Sequence, residues 1–194
     1  ILTYHRVSEY YDEKNSKNIC LSLFESQIQW LNKHFTILSL PEAIELIEKN
    51  KLPPRAVCIT VDDGYRDGYD LIFKVLQREK VKGAFFISTI GLEKGGLWNE
   101  EVSSSIFNAP EGITQLNIGS QVFNLSSLEN RNQARYQLTE FCKYLTLSER
   151  KKVIDDIKNQ TSAPALKNEF LTVEQIKEMH QAGMTIGAHT HTHP

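Results

Sequence analysis

Apolar residues cluster in short runs along the chain, separated by longer segments of mixed polarity. Runs over residues 1–4, 35–38, 56–61, 84–87 and 184–188 read as strands. Several lack a clean alternation of apolar and polar positions, which fits strands covered on both faces in a parallel sheet. Helical periodicity fills the gaps. Ser22 and Glu25 have the spacing of a capping box and predict a helix through Trp30 and Leu31. Ser39 and Glu42 repeat that spacing ahead of a helix over 43–50. A third helix is predicted over 69–80. Thr172 and Gln175 cap a fourth, with Gly183 as its C′ residue. Strand and helix alternate, so the fold class is α/β with a parallel sheet.

Residues 97–164 break this rhythm. The pattern predicts a helix over 97–108, then strands 115–118 and 121–125 around Gly119-Ser120, a two-residue hairpin turn. Amphipathic helices follow over 128–145 and 148–159. This stretch is read as an insertion, about 97–164, in a single domain spanning 1–194.

Composition narrows the classes. A chain of 194 residues is long enough to bury a real core. A formal net charge of -2 gives no reason to expect nucleic acid as a partner. No run approaches the roughly 18 apolar residues of a membrane helix. Cys20, Cys58 and Cys142 lack metal-motif spacing and read as unpaired buried thiols. The chain opens on Ile1 inside an apolar run and stops on a histidine motif, so the expectation is a segment of a longer protein.

Two clusters carry chemistry. Ile59-Thr60-Val61-Asp62-Asp63-Gly64-Tyr65 puts two carboxylates after a strand, where α/β folds build their sites. Both face one cavity only if the strand ends there, and Gly64 permits the bend. The bland alternative is an aspartate capping the next helix. Gly187-Ala188-His189-Thr190-His191-Thr192-His193-Pro194 is the second cluster. A helical turn puts His189 and His193 on one face; an extended segment would align His189, His191 and His193. Carboxylate and imidazole together suit zinc and its neighbours.

On these motifs the chain resembles the polysaccharide deacetylases of the NodB-homology type, carbohydrate esterase family 4. Residues 59–65 match the first family motif, T-F-D-D-G, with Val61 in place of Phe. Residues 189–194 match the second, H-[ST]-x-x-H-P. Leu2-Thr3-Tyr4-His5-Arg6-Val7, Leu52-Pro53-Pro54-Arg55-Ala56 and Gly83-Ala84-Phe85-Phe86-Ile87 extend the likeness to one bacterial branch. The resemblance implies a distorted (β/α) barrel lacking its C-terminal strands, since five core strands are countable and such a barrel typically needs about 250 residues. It implies Asp63, His189 and His193 as ligands of a divalent metal, zinc first. It implies Asp62 as the base that activates a metal-held water, and a GlcNAc-containing polysaccharide or oligosaccharide as the N-acetylated substrate. Later family motifs, which supply an arginine, a groove wall and a general-acid histidine, are not in this sequence. A cell-envelope or secreted location follows by resemblance only.

Rival readings are an O-acetyl esterase, an amidohydrolase-like site built on the His189-Thr190-His191 pair, and a carbohydrate-binding scaffold without activity. His5 ends the first strand and either lines a cavity mouth or supports structure. Trp30 and Phe35 are expected in the core, and His34 and His180 on helix surfaces. Trp98 is expected to pack, or to stack on a sugar. Tyr65 and Tyr69 flank the acidic turn, and Arg66 and Asp67 are expected to pair on the surface.

Overall fold

The computed structural model describes residues 1–11, 18–164 and 169–193. It divides into two compact units, one of Ile1–Lys94 with Glu169–His193, the other of Gly95–Asn168.

The first unit is built on four parallel strands: β1 (Leu2–Tyr4), β6 (Ile59–Val61), β7 (Gly83–Ile87) and β10 (Thr185–Ala188), adjacent in that order. Leu2 pairs with Ile59 and Tyr4 with Val61; Val61 pairs with Phe85 and Ala188 with Ile87. All four strands therefore end at one rim. Ile59, Val61, Phe85 and Ile87 are buried with Phe24 and Ile28 of α1 (Leu21–His34) and with Ile72 and Leu76. This two-sided cover explains the unbroken apolar runs. Short parallel pairs join β2 (Val7–Ser8) to β3 (Ile19–Cys20) and β4 (Thr36–Ile37) to β5 (Ala56–Val57). The predicted strand 56–61 is thus two strands in different sheets, parted at the buried Cys58.

Ser39 caps α2 (Leu40–Glu48), its hydroxyl accepting from the Glu42 amide. Thr172 and Gln175 form the expected reciprocal box on α8 (Val173–Gln181). Gly183 follows at φ +86, a left-handed position that costs glycine little.

Ser22 does not cap α1. The helix springs directly from β3, so Cys20 is its N-cap and Ser22 lies within the first turn. Trp30 is corrected from core to surface at 55% exposed. The buried stripe of α1 is Phe24, Ile28 and Leu31, and Trp30 lies two residues from Ile28, about 200° around the axis. It packs on Phe35 and His34 at ring separations of 5.5 and 5.1 Å. Phe35 itself is half-buried against the core. Cys20 is also half-buried, whereas Cys58 and Cys142 are buried; all three are free thiols. The helix expected over 69–80 begins as a π-helical turn, Gly68–Phe73, and becomes α only as α3 (Lys74–Arg78). The short helix α4 (Thr89–Lys94) carries no sequence expectation.

The second unit contains α5 (Trp98–Phe107), the antiparallel hairpin β8 (Gln115–Ile118) and β9 (Gln121–Asn124), α6 (Leu128–Lys143) and α7 (Leu147–Thr161). Gly119 takes φ +59 in the expected turn. Val102, Ile106, Leu116, Phe123, Leu138 and Ile157 form its own core. Arg150 lies over the Trp98 ring, 4.3 Å from its centroid, so packing covers one ring face.

Candidate metal centre

The rim of the first unit gathers the two sequence clusters. β6 ends at Val61, and the Asp62 amide donates to the Tyr4 carbonyl at 2.9 Å, extending the β1–β6 ladder by one bond. The chain then turns sharply, with φ +77 at Asp63 and +95 at Gly64. A Cβ on Gly64 would meet Ile87 Cγ2 at 2.7 Å, so residue 64 needs glycine for both conformation and space. The Asp63 side chain is thereby turned inward and is only 7% exposed.

β10 delivers the histidines. After Ala188 the chain is neither helical nor extended. Thr190 takes φ +60, and its hydroxyl accepts from the His193 amide at 3.2 Å. This tight turn returns His193 toward the strand. His189 Nε2 lies 3.4 Å and His193 Nε2 3.2 Å from Asp63 Oδ1. His191 is elsewhere: its Nδ1 lies 2.7 Å from Thr89 Oγ1. Neither sequence alternative for the segment describes it, although the helical alternative pairs His189 with His193, the two rings that lie beside Asp63. Pro194 lies outside the described residues.

Ser88 ties the halves together. Fully buried at the end of β7, it donates its amide to the Asp63 carbonyl at 2.9 Å and its hydroxyl to the His189 carbonyl at 2.8 Å. Sequence reasoning missed this residue; a small hydroxyl just past a buried strand was the available signal.

The three candidate ligand atoms, from Asp63, His189 and His193, lie within 4.8 Å of one another. A tetrahedral zinc with bonds of about 2.0–2.1 Å sets its ligand atoms about 3.3 Å apart, close to both carboxylate–imidazole distances. Asp63 Oδ1 is buried and makes no hydrogen bond of good geometry; it faces the two imidazoles. This donor set therefore fits a divalent cation. Burial pushes the Asp63 carboxyl up, but the polar pull and charge of His193, with the charges of His5 and His189, outweigh it. The net result holds Asp63 below the usual carboxylate range. His5 is exposed just past β1.

Residues 49–194 match the polysaccharide deacetylase family. The chain belongs to that family. A poly-beta-1,6-N-acetyl-D-glucosamine N-deacetylase of Staphylococcus epidermidis is 42% identical over 67 residues, covering 34% of this chain and 23% of that protein. The Staphylococcus aureus protein of the same name is 34% identical over 101 residues, covering 45% of this chain and 35% of its own length. This deacetylase-family chain thus aligns with a quarter to a third of the curated relatives. The Streptococcus pyogenes deacetylase PplD, solved in complex with acetate, has a similar fold: TM-score 0.55 at 20% identity, over 100% of this chain and 56% of that one. Its likeness supports the expected partial, distorted barrel.

Other expectations resolve locally. Arg66 and Asp67 do not pair with each other: Asp67 takes Arg6 Nε at 3.1 Å and the Val7 amide at 2.7 Å. Adjacent residues leaving a turn diverge, while β1 and β6 bring residues 6 and 67 together. Tyr65 is buried against Phe170, and the Tyr69 hydroxyl donates to Glu178 at 2.6 Å. His34 and His180 are exposed. No helix among the described residues is long and apolar enough to cross a membrane.

Proposed function

We propose that the protein containing this chain is a metal-dependent polysaccharide N-deacetylase acting on a GlcNAc-containing glycan. The observation that carries the reading is the buried Asp63 carboxylate facing His189 and His193 Nε2 at 3.4 and 3.2 Å. Family membership and the names of the staphylococcal relatives support it, and make a β-1,6-linked poly-N-acetylglucosamine the first substrate to test.

In this reading Asp63, His189 and His193 hold the cation. A bound divalent ion, zinc first by ligand chemistry, supplies a Lewis acid for the acetamide carbonyl and acidifies water. The chain's own residues do the rest. The surroundings of Asp63 hold its carboxyl below the usual carboxylate range, which favours the charged form that ligates a cation. Asp62, one residue earlier on the same rim, takes the proton of the attacking water as general base. Cleavage of the amide C–N bond leaves acetate and a free amine on the sugar, the nitrogen gaining a proton. Asp62 is the residue that separates an enzyme from a scaffold, because binding a glycan needs no base.

The test is acetate release from poly-β-1,6-N-acetylglucosamine oligomers by the full-length protein, before and after chelation and zinc restoration. Asp62→Asn should lower turnover by roughly 10²- to 10⁴-fold while zinc affinity stays within threefold, taking about that range for loss of a general base. Full activity in Asp62→Asn removes that residue from the mechanism. Release from O-acetylated glycans alone would replace the amidase reading with an esterase.

A further inference from the structure

We propose that Arg6 is a positioning residue for the Asp62–Asp63 turn, acting by clamping the loop that follows it onto the end of β1. The proposal rests on the deacetylase reading above and concerns a residue outside the metal-ligand set.

The turn needs support from beyond itself. Asp63 and Gly64 take consecutive positive φ values, an uncommon conformation for an aspartate, so contacts from neighbouring segments help to hold it. Downstream, residues 64–67 are gripped on one side by 169–171: the Leu171 amide donates to the Gly64 carbonyl at 3.0 Å and the Arg66 amide to the Glu169 carbonyl at 2.7 Å. Arg6 supplies the other side. Its Nε donates to Asp67 Oδ1 at 3.1 Å, its Nη2 donates to Glu169 Oε2 at 2.8 Å, and its guanidinium lies 4.3 Å from the centroid of the Tyr65 ring. Asp67 Oδ2 returns to the same segment by accepting from the Val7 amide at 2.7 Å.

One planar cation thus touches three residues on both strands of the clamp. Its Asp67 partner side chain is only 11% exposed, so solvent screens this pair less than a surface pair. β1 and β6 end in register, with Tyr4 opposite Val61. A clamp at residue 6 therefore fixes Asp67, six residues past Val61, and leaves Asp62 and Asp63 between two anchored ends. Lysine cannot reproduce this arrangement, since stacking over a ring while donating through two separate nitrogens requires the guanidinium fork.

The experiment compares full-length wild type, Arg6→Ala and Arg6→Lys, measuring zinc affinity by calorimetry and KM and kcat for acetate release. Arg6→Ala should weaken zinc binding and lower kcat by about tenfold or more each, the scale seen when a group orienting a metal ligand is lost. KM should change less than threefold. Millimolar methylguanidinium should recover part of both losses in Arg6→Ala, and Arg6→Lys should recover less than half. Asp67→Asn provides a second route should Arg6→Ala prove insoluble, and should show the same paired loss. Unchanged zinc affinity and kcat in a folded Arg6→Ala protein overturn the proposal. So does a loss that methylguanidinium leaves untouched and that simply tracks the unfolding midpoint. A wild-type protein that binds no zinc and releases no acetate would sink the deacetylase reading and this one with it, whereas an active wild type with indifferent Arg6 variants sinks only this one.

Discussion

Thr89 Oγ1 lies 2.7 Å from Nδ1 of His191, and this contact separates the middle histidine of the motif from its two neighbours. His189 and His193 approach Asp63, while His191 is turned toward the start of α4. The H-x-H pair suggested by the sequence is therefore not assembled as a ligand pair.

His191→Ala should leave zinc affinity within about threefold of wild type, while His193→Ala should reduce it at least tenfold, because deleting a ligand costs about as much as or more than disturbing one that orients it. Calorimetric titration of both variants decides. Equal losses in the two would restore His191 as a ligand.

Ser88→Ala should loosen the join between the two halves of the site. The variant loses the hydroxyl bond to the His189 carbonyl but keeps the amide bond to Asp63. Apo stability should fall by about 1 kcal/mol, typical of one buried hydrogen bond, as read from urea midpoints. Zinc affinity should fall as well; unaltered zinc binding would show that His189 does not need this tether.

Asp67 gives a pH signature. Burial pushes its carboxyl up, and the opposing pull of Arg6 and the Val7 amide does not fully cancel that. A carboxyl raised in the folded state favours folding while protonated. Its contribution is fully present below the ordinary aspartate value of 3.8 and is lost as pH rises through the higher folded value. The stability of wild type minus that of Asp67→Asn should therefore decline across that window. Parallel stability–pH curves for the two proteins would show that Asp67 is not raised.

Arg131 is a test confined to the second unit. Its Nε donates to the Leu125 carbonyl at 3.0 Å, and its Nη1 donates to the carbonyls of Ile106, Phe107 and Ala109 at 3.0, 3.3 and 3.0 Å. These include acceptors left open at the end of α5. Arg131→Met should cost more than about 2 kcal/mol, since each bond to a charged donor contributes about 1.5–3 kcal/mol. Local hydrogen exchange in α5 and α6 would reveal it. Wild-type protection there would mean that water replaces the guanidinium without penalty.

What the sequence revealed depended on distance along the chain. Runs such as 84–87 announce a buried strand because every neighbour is apolar, and Thr172 with Gln175 announces a helix start because the partners are three residues apart. Asp63 and His193 were legible as partners through their motifs, even though their approach is long-range. The Arg6–Asp67 contact was not, because nothing local marks which cation a carboxylate will meet. The sequence offers Asp67 only its neighbour Arg66, because the β1–β6 register that brings Arg6 to it is not visible there. Trp30 failed differently: hydrophobicity places it in a core, but the phase of α1 places it outside. The π-helical turn after the acidic motif left no periodic signal in so few residues.

The order in which the chain is made adds a last consequence of the site's being split between β6 and β10. During synthesis Asp63 leaves the ribosome well before His189, by on the order of ten seconds at common elongation rates. All of Gly95–Asn168 is translated in that interval. A nascent chain of that length carries Asp63 but neither His189 nor His193, so it lacks two of the three candidate ligands. On the metal-dependent reading proposed above, loading waits until the histidine turn emerges, and a chain abandoned part-way has no complete site to hold an ion.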